Sequence, residues 1–166
     1  MSTKCWSQTP CGRIACCAVL LCLALTVGCR GRTPYEGKNA AELAAMLHSD
    51  DPAVQAQGAF GLSRLGPEAR TAVPALAEAL HSKESLVRAN AALALGQIGP
   101  DAREVVKVLT EVLRDPEWTV RRQAALALGR IGPDARSAVP ALARLADDPD
   151  HLVRKAAQET LANLRK

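Results

Sequence analysis

Twelve residues, ALALGQIGPDAR at 92–103, return as ALALGRIGPDAR at 125–136, with only Gln97 changed to Arg130 after an interval of 33 positions. Repetition at a fixed interval restricts the fold severely. A catalytic pocket is assembled once from unlike residues, whereas near-identical segments must make near-identical contacts. The interval holds through four copies. Leu43, Leu76, Leu109 and Leu142 form one apolar column; Val54, Val87, Val120 and Val153 a second; Leu62, Leu95, Leu128 and Leu161 a third; Leu65, Ile98, Ile131 and Leu164 a fourth. Four columns that stay in phase predict a tandem array from Ala40 onward.

Each copy predicts two helices. In AVPALAEAL, Val73, Leu76 and Leu80 share a face at helical spacing, and Pro74 sits in the first turn, where no intrahelical bond from its nitrogen is needed. After the polar break SKES, Val87, Ala91, Leu95 and Ile98 form the stripe of a second helix. Gly66-Pro67, Gly99-Pro100 and Gly132-Pro133 then read as stops, since glycine allows a positive φ and proline cannot continue the helix. With 48% apolar but only 2% aromatic residues, Ala and Leu supply the core, which favours helices over sheets. Neither helix of a unit can bury its stripe alone, so the units must stack. The column Ala91, Ala124, Ala157, with Gly58 in the first unit, is expected to let helices approach closely, and Gly96 and Gly129 are read as packing positions. Glu159 and Thr160, where the third unit has Leu126 and Ala127, are expected to shield the end of the stack.

All six cysteines, Cys5, Cys11, Cys16, Cys17, Cys22 and Cys29, fall within the first 29 residues. That leaves the body of the chain without a disulfide framework, a cysteine nucleophile or thiolate metal ligands. The head carries Lys4 and Arg13, then the uncharged run Ile14–Val27, then Gly28 and Cys29. Such a run is shorter than the roughly 20 residues a membrane-spanning helix needs, and it reads as a secretory signal over residues 1–28. The segment LTVGC resembles the lipobox of bacterial lipoproteins, which implies cleavage after Gly28 and a lipid on Cys29. Thr26 stands where that family usually has Leu, and ordinary signal peptidase, releasing a soluble protein, is the alternative. Loss of residues 1–28 removes Lys4 and Arg13 and no acid, taking the net charge from +4 to +2. No nucleic-acid partner is expected from a nearly neutral exported chain. Residues 29–38 read as a lipidated cysteine and short linker, reaching at most roughly 30 Å, which would hold the domain of residues 39–166 near the membrane. Its units are placed at about 39–70, 71–103, 104–136 and 137–166.

The stretch DPEWTVRRQAALALGRIG, residues 115–132, resembles the short HEAT-like repeats first associated with phycobilisome lyases, and the resemblance covers about residues 40–164. It implies an all-α fold, a right-handed α-α superhelix of about four helical hairpins whose second helices line the concave surface. It also implies a ladder between units, built from the arginines that follow the recurring valine, Arg88, Arg121 and Arg154, and the aspartates Asp115 and Asp148. Ser49 and Ser82 take the aspartate's place in the earlier units, and Gln55 the arginine's, so the ladder is expected to be incomplete there. The ankyrin TPLH-like turn and the tetratricopeptide pattern are absent.

His48 and His81 lie one period apart at the ends of first helices, where Arg114 holds the same place; two such residues fall short of a metal's usual three or four ligands. HEAT-repeat hydroxylases hold two irons with His-Glu pairs, and no histidine here is followed by Glu. No G-x-S-x-G, H-E-x-x-H, Walker or Rossmann motif occurs. No enzyme activity, cofactor or small-molecule substrate is therefore expected. On the second helices, spacing of four brings Arg122, Leu126 and Arg130 to one face, with Asn90, Leu93 and Gln97 beside them and Lys155 beyond. Together with Trp118, placed in the turn before a second helix, they predict a partner-binding groove of exposed leucines with a mildly basic rim; a merely solvated face, with Trp118 packed on the neighbouring turn, is the other reading. The expected function is a non-catalytic interaction scaffold at the cell envelope with a protein partner. A chromophore-lyase or chaperone role, suggested by the resemblance, and a purely structural role in the envelope are the alternatives; the lyase role lacks the aromatic residues that would clasp a tetrapyrrole.

Overall fold

The structure, a computed structural model, describes residues 35–165. The expected signal peptide, Gly28, Cys29 and linker residues 30–34 lie outside the described residues. Among the described residues eight α-helices follow one another: α1 Ala40–Met46, α2 Pro52–Leu65, α3 Val73–Ala79, α4 Ser85–Ile98, α5 Val106–Val112, α6 Trp118–Ile131, α7 Val139–Arg144 and α8 His151–Leu164. Short 3-10 segments, Gly66–Ala72, Gly99–Val105 and Pro133–Ala138, lead into the first helices of the second, third and fourth units. Among the described residues there is no strand and no helix long and apolar enough to cross a membrane. The chain is an α-α solenoid of four helical hairpins, as the 33-residue period requires.

The second helices differ in how they begin. The side chains of Asp51 and Asp150 accept from the N–H groups of Ala53 and Leu152. At α6 the acceptor moves two residues upstream: Asp115 Oδ1 takes the N–H of the N-cap residue Glu117 at 2.9 Å. Each second helix of the first three units ends on glycine. Gly99 (φ 72°) and Gly132 (φ 83°) adopt a backbone closed to most side chains, and their N–H groups bond Leu95 O and Leu128 O. The capping box at α1 is reciprocal, with Asn39 Oδ1 and Glu42 Oε2 each accepting the other's N–H at 2.9 Å. Asn39→Ala should cost about 1 kcal/mol, read as a lower urea midpoint with an unchanged slope. A change of slope would mean that the first unit had detached.

The four leucines Leu43, Leu76, Leu109 and Leu142 are at most 1% exposed, and Leu62, Leu95 and Leu128 are wholly buried. Val54 and Leu161, at the two ends of the stack, are only half-buried. Second helices touch one another directly along the stack, whereas first helices meet neighbouring units chiefly through the 3-10 segments. Small residues make the direct contact possible. A Cβ on Gly96 would stand 2.9 Å from Ala127 Cα, and one on Gly129 2.9 Å from Thr160 Oγ1.

A Cβ on Gly58 would meet Leu43 O and Met46 Cβ at 2.8 Å, so that position lets α1 approach α2 closely, while the close approach between units falls at Gly96 and Gly129. Two expectations are corrected. Thr160 does not face the open end of the stack: it is 2% exposed and donates to Ala125 O at 2.9 Å. The polar substitution at that end is Gln158, exposed where Ala59, Ala92 and Ala125 are wholly buried. Finally, the linker reading stops short of Tyr35, whose ring sits edge-on to Phe60 at 5.4 Å and whose Cβ lies over Gly61.

Candidate binding groove

The arginine column is fixed by the turn before each second helix. Arg88 Nη1 donates to Ser82 O and Lys83 O, Arg121 Nη1 to Asp115 O and Pro116 O, and Arg154 Nη1 to Asp148 O and Pro149 O. Held by that edge, the guanidinium aims its other edge at the following unit. Arg88 grips Asp115 through Nε and Nη2 at 2.7 and 2.9 Å, and Arg121 grips Asp148 at 2.8 and 2.9 Å. These bidentate pairs are the rungs of the expected ladder, each reaching 27 residues forward. Hydrogen bonding to the aspartates raises the pKa of both arginines above its usual value. Asp148 is held below the ordinary carboxyl value, chiefly by its hydrogen bond from Arg121, against the opposing effect of burial. Arg154 caps its own turn and pairs with no carboxylate among the described residues. In the first unit Gln55 Nε2 holds its own turn, donating to Ser49 O at 2.6 Å, and between the first two units Asn90 Nδ2 reaches Ala56 O at 3.1 Å.

The side of the second helices turned away from the first helices carries the predicted groove residues, but not as one exposed leucine band. Leu93 and Leu126 are half-buried, because the column Phe60, Leu93, Leu126 lies between adjacent helices. Arg130, Gln97 and Lys155 are exposed, and Arg122 is half-buried. Asn90 has a structural bond, as above. Trp118 is the first residue of α6 and 37% exposed, rather than part of the preceding turn.

Three hollows open on this face. Arg122, Leu126, Leu152, Lys155 and Glu159 line one of about 130 Å³ between α6 and α8. Phe60, Arg64, Leu93 and Gln97 border one of about 480 Å³ between α2 and α4. An apolar hollow of about 290 Å³ lies nearer the starts of the same two helices, walled by Tyr35, Ala53, Ala56, Phe60 and Leu86. Leu86 is 62% exposed, the most exposed large apolar side chain among the described residues. Sequence reasoning missed Leu86 and Phe60. The available signal was a leucine one position out of phase with the buried stripe that starts at Val87.

His48 and His81 line one hollow of about 200 Å³ with Glu78 and Gln55 on the first-helix side, and His151 opens α8 two units away. Among the described residues no three His, Cys, Asp or Glu side chains are placed to hold a metal ion.

The sequence pattern of HEAT repeats matches residues 40–115 and again 100–162. No curated protein matches the chain. Among solved structures, an engineered protein is 31% identical with a TM-score of 0.66, over 76% of this chain and 62% of its own. A designed armadillo repeat protein in complex with the peptide (KR)4 has a TM-score of 0.67 at 18% identity, over 75% of this chain and 64% of its own. Human deoxyhypusine hydroxylase in complex with glycerol has a TM-score of 0.62 at 28% identity, over 88% of this chain and 53% of its own. The chain spans less than two thirds of the length of each.

Proposed function

Since the chain belongs to the HEAT-repeat family, we propose that it is a non-catalytic protein-binding scaffold, exported and held at the cell envelope by a lipid on Cys29, that presents its second-helix face to a partner. One observation carries the binding part: the stack uses its ladder arginines internally, yet among the described residues it leaves the side chains of Arg122, Arg130 and Gln97 without a hydrogen bond and Leu86 exposed. Side chains that the fold does not use, beside apolar hollows, have the composition of an interface. The designed armadillo neighbour, whose fold is alike, holds a peptide, which supports the same use of this scaffold. The non-catalytic part is supported by the histidines. None adjoins a Glu in sequence, and the three are divided between two places two units apart.

Crosslinking in intact cells tests the groove. A partner recovered with the wild-type chain should be lost with Arg122→Glu plus Arg130→Glu, surface changes that leave the core untouched; equal recovery would exclude this face. The anchor has its own readout. Labelled palmitate should enter the wild-type chain and not Cys29→Ser, and a released, unlabelled wild type would make the protein a secreted binder instead.

A further inference from the structure

Resting on that reading of the groove, we infer that its partner is an extended acidic segment bearing one apolar side chain, the apolar group seated at Leu86 and the carboxylates at Arg122 and Lys155. Charge along the second helices is one-sided. Between Pro52–Leu65, Ser85–Ile98, Trp118–Ile131 and His151–Leu164 there is a single acid, Glu159, against Arg64, Arg88, Arg121, Arg122, Arg130, Arg154 and Lys155. Arg88 and Arg121 are neutralised within the ladder. Glu159 stands 4.0 Å from Lys155, both side chains exposed, and lines the same hollow as Arg122, so that hollow keeps one net positive charge. Of the acids in the turns before these helices, Asp51, Glu84, Glu117 and Asp150 are the N-cap residues along the edge where the helices begin, Asp115 and Asp148 belong to the ladder, and Asp50 and Asp147 precede the caps.

The face is also graded along the stack. The column that holds Arg122 and Lys155 in the last two units holds Ala56 and Ala89 in the first two, and there Tyr35, Phe60 and Leu86 wall the apolar hollow. Its volume of about 290 Å³ admits one leucine or phenylalanine side chain. Neighbouring helices pack about 9 Å apart, so the apolar hollow and the Arg122–Lys155 hollow are roughly 20 Å apart. An extended chain covers that in about six residues. The ligand is therefore an apolar residue separated by about that length from a pair of carboxylates. Guanidinium–carboxylate bonding would fix its register and burial of the apolar group would add affinity. A basic peptide, or a flat anionic surface with no side chain to insert, meets only half of these features.

Fluorescence anisotropy with the full chain tests this, using a labelled Glu-rich peptide with one Phe at that spacing. Controls replace Glu by Lys, or Phe by Gly, or use vesicles of anionic lipid. The Glu peptide should bind, and Arg122→Glu with Lys155→Glu should weaken it by about tenfold or more. Leu86→Asp should weaken the Phe peptide by about tenfold more than it weakens the Phe-less control, whose smaller loss reports the added negative charge alone. Leu86 is exposed and lies in the first turn of α4, where an acid suits the helix dipole, so that variant keeps its fold. Equal or tighter binding of the Lys peptide, still sensitive to Leu86→Asp, would overturn the acidic partner while leaving the groove in use. Binding of vesicles alone, indifferent to Leu86→Asp, would replace the peptide by a membrane. Binding of no probe would overturn the inference, and the crosslinking result would then decide the groove separately.

Discussion

Arg121→Ala should lower the unfolding free energy by about 3 kcal/mol, seen as a reduced urea midpoint at neutral pH. The substitution removes a bidentate pair whose side chains are 12% and 4% exposed, together with two bonds to the carbonyls of Asp115 and Pro116. What remains is the Asp148 carboxylate, largely buried and supported only by the N–H of Asp150 at 2.9 Å. Arg130→Ala, at an exposed cation on the same helix, supplies the contrast and should cost no more than about 0.5 kcal/mol. Equal shifts for the two variants would show that the rungs contribute nothing to holding units together. The pair also sets a pH dependence. Asp148 has its folded-state pKa below the ordinary value of 3.8, so the unfolded chain binds that proton more readily. The stability from this group is complete above the ordinary value and is lost as pH falls through the folded one. Wild-type stability should therefore decline from about pH 4 downward, and Asp148→Asn, less stable at neutral pH, should decline less steeply.

The period made the architecture legible, because every column tests the same contact four times. Leu76 and Leu109 had to be core once Leu43 and Leu142 shared their phase. The ladder was legible through the family resemblance, since the repeated arginines and aspartates by themselves also suited a basic strip for acidic ligands. Single-copy features were not. Tyr35 docks on Phe60 from outside the periodic region, and these are the single Tyr and single Phe of the chain. The direction in which a small residue faces was also hidden: Gly58 and Gly96 look alike in sequence, yet one admits α1 and the other the next unit's α6. Likewise, polar Thr160 in an apolar column suggested an outward face, but a hydroxyl can be buried when it finds a carbonyl, and Ala125 O lies 2.9 Å away.

Gly96→Val should damage the stack about as severely as loss of a rung, by about 3 kcal/mol, and by a different route. In an isolated helix the exchange would favour folding slightly, because glycine is the poorer helix former. In this stack the first added carbon lies 2.9 Å from Ala127 Cα and 3.2 Å from its Cβ. A backbone atom cannot rotate aside as a side chain does, so α4 and α6 must separate along their length. Gly129→Ala is the milder counterpart. Its neighbour is Thr160 Oγ1 at 2.9 Å, which can turn away if it gives up the bond to Ala125 O, at a cost of about 1 kcal/mol. Because each unit contacts only its neighbours, the damage should be local before it is global. Hydrogen exchange should quicken first at the amides of α4 and α6 in Gly96→Val, while α8 keeps its wild-type protection. Uniform acceleration across all four units would mean that the solenoid unfolds as one block, and that its interfaces do not act as separable joints.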